Sequence, residues 1–213
     1  SESDGGGEAE AGSRSVTPRL EERVMALSCV KLEKESDLES VLLAVASSSG
    51  FLRTWKVQMK RTGEKAETTL LQRLRVANTT ALCMETYKAA QFYGLFVGSA
   101  DGKLTSVTKI TATEAVGRQE LQLHQAGVND LTLQFFDNMT RVATLTAGDD
   151  HCIGLCHFAL EDDSVRLLGS RVLEAHFSAV RAVSWAGPTM ALSLGLDRRL
   201  RLWTVTLQET PEL

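Results

Sequence analysis

Three constellations of residues in this 213-residue chain have the types and spacing to do chemistry. The first is His176, Ser193 and Asp197, followed by Trp203. Hydroxyl, imidazole and carboxylate are the parts of a hydrolase triad, which needs an exposed nucleophile beside an oxyanion site. They can equally be buried polar groups that satisfy one another in a hydrogen-bonded relay. Ser193 lies inside an apolar β-rich run, which favours the relay over a nucleophile. His124, Thr146 and Asp150 repeat the pattern, with Cys156 standing where the indole would be.

The second constellation is His151-Cys-Ile-Gly-Leu-Cys-His157, which has the residue types of a zinc site. On a strand rising ~3.3 Å per residue, Cys152 and Cys156 share a face but stand about 13 Å apart. Two thiolates on one zinc, each at ~2.3 Å, must be within ~5 Å of each other. An intact strand therefore cannot chelate one metal with this pair, and buried cysteines are the expectation. The third is Arg198, Arg199 and Arg201 with Arg181, the densest local positive charge. Arg198 and Arg199 fall in a turn between strands, so Arg181, Arg198 and Arg199 are candidate contacts for an acidic partner or RNA.

These side chains must be positioned by strands. Short β-rich runs fill the chain from Val24 onward: 24–30, 41–46, 51–59, 68–76, 80–84, 95–98, 104–110 and 119–123, then 131–135, 142–146, 152–160, 164–172, 180–185, 190–194 and 200–207. Turn residues separate them, and no stretch sustains a helical apolar period. Tight turns such as Asp101-Gly102 and Asp150-His151 join antiparallel neighbours. The frame of Ser193 to Trp203 returns at Thr146 to Cys156, Gly98 to Val107 and Ala46 to Trp55. Each repeat is a small sheet that cannot bury both faces alone, and stacking sheets about an axis solves this.

In these residues the chain resembles WD-repeat proteins. The resemblance implies an all-β propeller with four recognisable blades, at about 20–76, 77–123, 124–173 and 174–213 within a domain of 19–213. Leu20 and Arg75 fall where the first two blades would carry histidine, and Ser49 replaces the aspartate, so those blades should cohere mainly by apolar packing. Propellers usually have more than four blades, so a partial propeller, an arc of a larger ring, is expected.

Three longer segments are more specific: Leu121–Leu131, Gly148–Leu160, and Glu174–Val183 leading to Asp197–Trp203. They resemble the C-terminal repeats of the non-catalytic WD-repeat partner of the methyltransferase that modifies the ribose 2′-hydroxyl of the tRNA wobble nucleotide. The resemblance implies a role beside a separate SAM-dependent tRNA 2′-O-methyltransferase catalytic subunit, with tRNA as a further contact. It brings over no catalytic residue and no cofactor. The alternative is a general WD-repeat scaffold that binds protein partners through its propeller faces, with no part in RNA modification.

Composition sets the limits. A net charge of -4 gives no general attraction to polyanions. The longest apolar run, Val41–Ala46, is far short of the ~20 residues that cross a bilayer. Four scattered cysteines are no disulfide framework, and a cytoplasmic protein is expected. Residues 1–18, rich in Ser, Gly and Glu, read as a flexible acidic tail or linker.

Overall fold

Alternation along the strands determines how the sheets stack. In Val41–Ala46 the side chains of Leu42, Ala44 and Ala46 are buried, whereas those of Val41, Leu43 and Val45 face the other way and stay half-exposed. A computed structural model describes residues 22–32, 38–60, 65–89, 92–110, 117–161 and 164–207. The expected tail at 1–18 lies outside the described residues.

The strands form four antiparallel meanders. The first sheet is β1 (Val24–Lys31), β2 (Leu38–Ser47), β3 (Phe51–Lys60) and β4 (Glu67–Arg75). The second is β5 (Ala81–Lys88), β6 (Tyr93–Ser99), β7 (Lys103–Thr108) and β8 (Gly117–Gln122). The third is β9 (Val128–Phe136), β10 (Arg141–Gly148), β11 (Cys152–Leu160) and β12 (Val165–Glu174). The last has three strands among the described residues, β13 (Val180–Gly187), β14 (Met190–Gly195) and β15 (Leu200–Thr204).

Between the second and third strands of each sheet, the same tight turn places one residue in the left-handed region: Gly50, Gly102, His151 and Arg198, with φ of 76°, 81°, 69° and 63°. Glycine takes that conformation without a steric cost, so the first two turns are the relaxed ones.

Three apolar cores lie between consecutive sheets. Leu42, Ala44, Leu52 and Val76 of the first pack on Met84, Leu95 and Val97 of the second. Tyr87, Phe96 and Leu104 meet Val128, Val142, Cys156 and Phe158. Leu145 and Ile153 meet Val180, Val183 and Ala191. Among the described residues, each inner sheet thus buries both faces, while the first and last leave one face uncovered.

The leading strands line the axis in order, β1 against β5, β5 against β9 and β9 against β13, and β13 makes no comparable approach to β1. Side chains on these strands satisfy backbone groups of the next. The backbone N–H of Thr86 donates to Ser28 Oγ at 3.0 Å, Cys83 Sγ donates to the Val128 carbonyl at 3.3 Å, and the Val183 N–H donates to Asp130 Oδ2 at 2.9 Å. Glu85 plays the same part toward Leu133. Burial, reinforced by the Asp130 charge and opposed by the Leu133 N–H, pushes its carboxyl up to about 7.

Candidate functional site

The last sheet joins His176, Ser193, Asp197 and Trp203 into one hydrogen-bonded chain. Trp203 Nε1 donates to Ser193 Oγ at 2.8 Å, Ser193 Oγ lies 2.8 Å from His176 Nε2, and His176 Nδ1 lies 2.9 and 3.1 Å from the Asp197 oxygens. An indole can only donate, so Ser193 accepts from it and directs its own proton to Nε2, and a neutral imidazole then carries its proton on Nδ1. Burial opposes the charge on Asp197. The His176 bond and the backbone N–H groups of Phe177 and Arg199 outweigh it and hold the carboxyl below its ordinary range. Ser193 is 1% exposed, and its hydroxyl is committed on both sides. It is not placed to attack a substrate.

The third sheet repeats the arrangement without the indole. His124 Nε2 lies 2.8 Å from Thr146 Oγ1, and Nδ1 lies 2.9 and 3.2 Å from the Asp150 oxygens. Thr146 Oγ1 is also within 3.2 Å of the Gly154 carbonyl, an alternative acceptor. Burial raises the Asp150 carboxyl, but the Gln125 N–H and His124 win and leave it lowered. Cys156 is fully buried in the indole's place, and burial pushes its thiol up to about 12. Cys152 Sγ turns to the Asp150 carbonyl at 3.4 Å, and among the described residues no three His, Cys, Asp or Glu side chains converge as a metal site.

The first two sheets close the same place differently, through a position that spacing alone does not flag. Two residues before Asp150 and Asp197 stand Gly148 and Gly195. A Cβ on Gly195 would come within 2.5 Å of His176 Nδ1 and 2.7 Å of Asp197 Oδ1, and one on Gly148 would collide with the matching atoms of His124 and Asp150. The buried imidazole therefore excludes any side chain there. The corresponding residues of the first two sheets are Ser47 and Ser99, and no imidazole is present. Ser99 Oγ donates to Asp101 Oδ1 at 2.5 Å. In the first sheet Ser47 and Ser49 donate to Glu22 Oε1 at 2.8 and 2.7 Å, while Arg53 pairs with Glu22 Oε2 at 2.6 Å. Arg53, then Ser49 and Ser47, hold the Glu22 carboxyl down to about 2.

One expectation needs correction. The residue of the second sheet that occupies the histidine's place is Ala77, not Arg75: its N–H bonds the Gly50 carbonyl at 3.2 Å, as the N–H of His124 bonds Gly102 at 2.9 Å and that of His176 bonds His151 at 3.0 Å. Leu20 lies outside the described residues. The first two sheets add these polar clasps to the apolar core that lies between them. In the second repeat, the exchange of His with Gly for Ala77 with Ser99 was the signal available.

The arginines divide into two groups. Arg181 faces back to the third sheet, 3.5 Å from Asp149 Oδ1 and 3.2 Å from Asn129 Oδ1. Arg198 and Arg199 sit on the turn before β15. Phe177, which sequence reasoning passed over, is 71% exposed beside them, with Arg199 and Arg201 Cζ at 4.9 and 5.8 Å from its ring centroid.

This architecture recurs in solved proteins. A chain in the crystal structure of an active polycomb repressive complex 2 in the basal state superposes with a TM-score of 0.65, at 17% identity, over 90% of this chain and 39% of that one. The fold is a partial WD-repeat propeller. A chain of the Mitotic Checkpoint Complex is similar with a TM-score of 0.51, 17% identity, and coverage of 81% and 51%. In sequence, the protein transport protein SEC13-2 of Candida glabrata is 26% identical over 180 residues, 76% of this chain and 56% of the relative. The chain thus spans about half the length of that relative. No protein-family model matches. Among the described residues, no helix is long and apolar enough to cross a membrane.

Proposed function

We propose that this chain is a non-catalytic WD-repeat scaffold, an arc of a propeller that works by holding other proteins. The stacked-sheet architecture carries this reading, and the faces left uncovered on the end sheets among the described residues are apolar. On the last sheet Leu200 pairs with Leu194 and Leu202 with Leu192, and Leu194, Leu200 and Leu202 are 46%, 67% and 65% exposed on one face. On the first, Leu27 and Leu70 are 62% and 55% exposed beside the half-exposed Trp55. Apolar patches of this kind mark association surfaces. That the two solved neighbours described above come from complexes supports the same reading, as does the commitment of His176, Ser193 and Asp197 to a buried relay.

The test is affinity capture from the cells of origin with the chain and with its Leu200→Glu, Leu202→Glu variant. A defined set of proteins held by the first and lost from the second is expected. An identical set in both would refute the role of this face.

A finer reading, an accessory subunit for wobble 2′-O-methylation of tRNA in the cytoplasm, rests on the three resembling segments in the third and fourth repeats. It requires a tRNA 2′-O-methyltransferase in the captured set and loss of wobble methylation on depletion. Unchanged methylation would remove it and leave the general scaffold standing.

A further inference from the structure

We propose that Phe177, Arg198, Arg199 and Arg201 form a docking site for a phosphorylated peptide segment of a protein partner. The proposal rests on the scaffold reading and deepens it. Arg199 and Arg201 lie against an exposed phenyl ring, and among the described residues neither they nor Arg198 pair with a carboxylate. A phosphoryl group beside them would accept charge-assisted, bidentate N–H bonds from the guanidinium forks. The open part of the Phe177 ring would cover an apolar residue next to it. Stacking on the ring also preorients the guanidinium planes, so less side-chain freedom is lost on binding.

Arg198 supplies an independent reason. It occupies the left-handed turn position that is glycine in the first two sheets, with φ of 63°. A long charged side chain at such a position stores strain that glycine would not. The turn gains nothing structural in return, since its hydrogen bonds are made by backbone groups and Asp197. The Arg198 side chain is exposed and pairs with no carboxylate among the described residues, which leaves it open to a ligand.

A second arginine–phenylalanine cluster, on the first sheet and at a different place in the repeat, differs. There Arg73 lies 4.3 Å and Arg75 5.6 Å from the Phe51 centroid, but the ring is half-buried and Arg75 Nε bonds the Ala77 carbonyl at 3.3 Å. A short phosphorylated segment fits the site around Phe177 better than a nucleic acid does. Asp197 borders the patch, accepting from the Phe177 and Arg199 backbone N–H groups, and a net charge of -4 repels an extended polyanion.

The experiment follows arginine Nε–Hε and Phe177 ring signals of the isotopically labelled chain by NMR. The probes are a short peptide with one phosphoserine flanked by leucines, its unphosphorylated form, and an oligouridylate. Expected are shifts confined to Phe177, Arg198, Arg199 and Arg201 with the phosphopeptide, and affinity lowered about ten-fold without the phosphate. Arg198→Gly should weaken phosphopeptide binding several-fold while raising the thermal unfolding midpoint, a combination that a structural role for Arg198 would not produce. Equal binding of the unphosphorylated peptide, or no shift at these residues, would overturn the proposal. Tighter binding of oligouridylate at the same arginines would overturn it in favour of nucleic acid. The scaffold reading is judged separately by capture through the Leu200–Leu202 face, so either can fail alone.

Discussion

If the imidazole and the side chain two residues before the aspartate exclude one another, the third sheet can be converted to the clasp of the second. Gly148→Ser alone puts a Cβ into His124 Nδ1 and Asp150 Oδ1. The ring has no exposed surface to retreat through, because its side chain is 0% exposed and bonded at both nitrogens. Relief requires breaking the Asp150 bond, so overpacking of about 1–3 kcal/mol adds to an orphaned donor of about 1–3 kcal/mol. His124→Ala alone removes the ring and should cost about 2–4 kcal/mol. Asp150 keeps the N–H groups of Gln125 and Cys152 at 2.9 and 3.2 Å, and Thr146 keeps the Gly154 carbonyl. In the double variant the clash with the ring is gone, Asp150 is released from the imidazole and can turn away from the new Cβ, and the introduced serine hydroxyl can bond it as Ser99 bonds Asp101. The coupling should favour the double variant by at least about 2 kcal/mol. Urea unfolding followed by circular dichroism measures all three variants. A double variant that loses the sum of the single losses, or a Gly148→Ser change that costs nothing, would refute the exclusion argument.

Other outcomes follow from the same geometry. Trp203→Phe removes the indole donor but keeps most of the packing, so it should cost about 1 kcal/mol, and less than Ser193→Ala, which cuts the relay at its centre; equal losses measured in urea would contradict the order. Glu85 has a folded pKa raised from 4.5 to about 7, so stability is lost as pH rises through that window, and Glu85→Gln should raise the thermal midpoint at pH 8 with little effect at pH 4. Glu22 has the opposite sign: its carboxyl is lowered to about 2, its contribution fades as pH falls from 4.5 toward 2, and Glu22→Gln should flatten that acid limb of the midpoint profile.

The strands were legible because each element satisfies a local rule. The run 152–160 matches β11 end for end, and all fifteen expected runs overlap a strand. The relay of the last sheet was legible for the same reason, since its members fall at fixed offsets from one turn. Residues whose partners come from outside the repeat frame were not. Glu22 reaches Ser47, Ser49 and Arg53 from ahead of β1, and nothing in its own neighbourhood marks it as a clasp. Phe177 reads locally as a loop phenylalanine. Only the return of β15 brings Arg199 and Arg201 against its ring. Ala77 was missed because the two-residue offset to Arg75 is invisible until the backbone bond to Gly50 fixes the register.

The two uncovered faces are not equivalent, and this constrains what can cover them. The last sheet offers Leu192, Leu194, Leu200 and Leu202 as an aliphatic surface, which any apolar sheet of matching twist can cover. On the first sheet Trp55, Val57 and Leu70 are bordered at one end by the cross-strand pair Arg53, bonded to Glu22, and Arg73, stacked on Phe51. A partner that buried this face would have to leave the rim hydrated or supply acceptors for the guanidinium groups, since an unpaired buried charge costs several kcal/mol. Orientation of a covering sheet is therefore dictated by its rim at the first sheet and left open at the last. Two copies of the same blade could cover the last face in more than one register, but the first face admits only the register that keeps Arg53 and Arg73 satisfied.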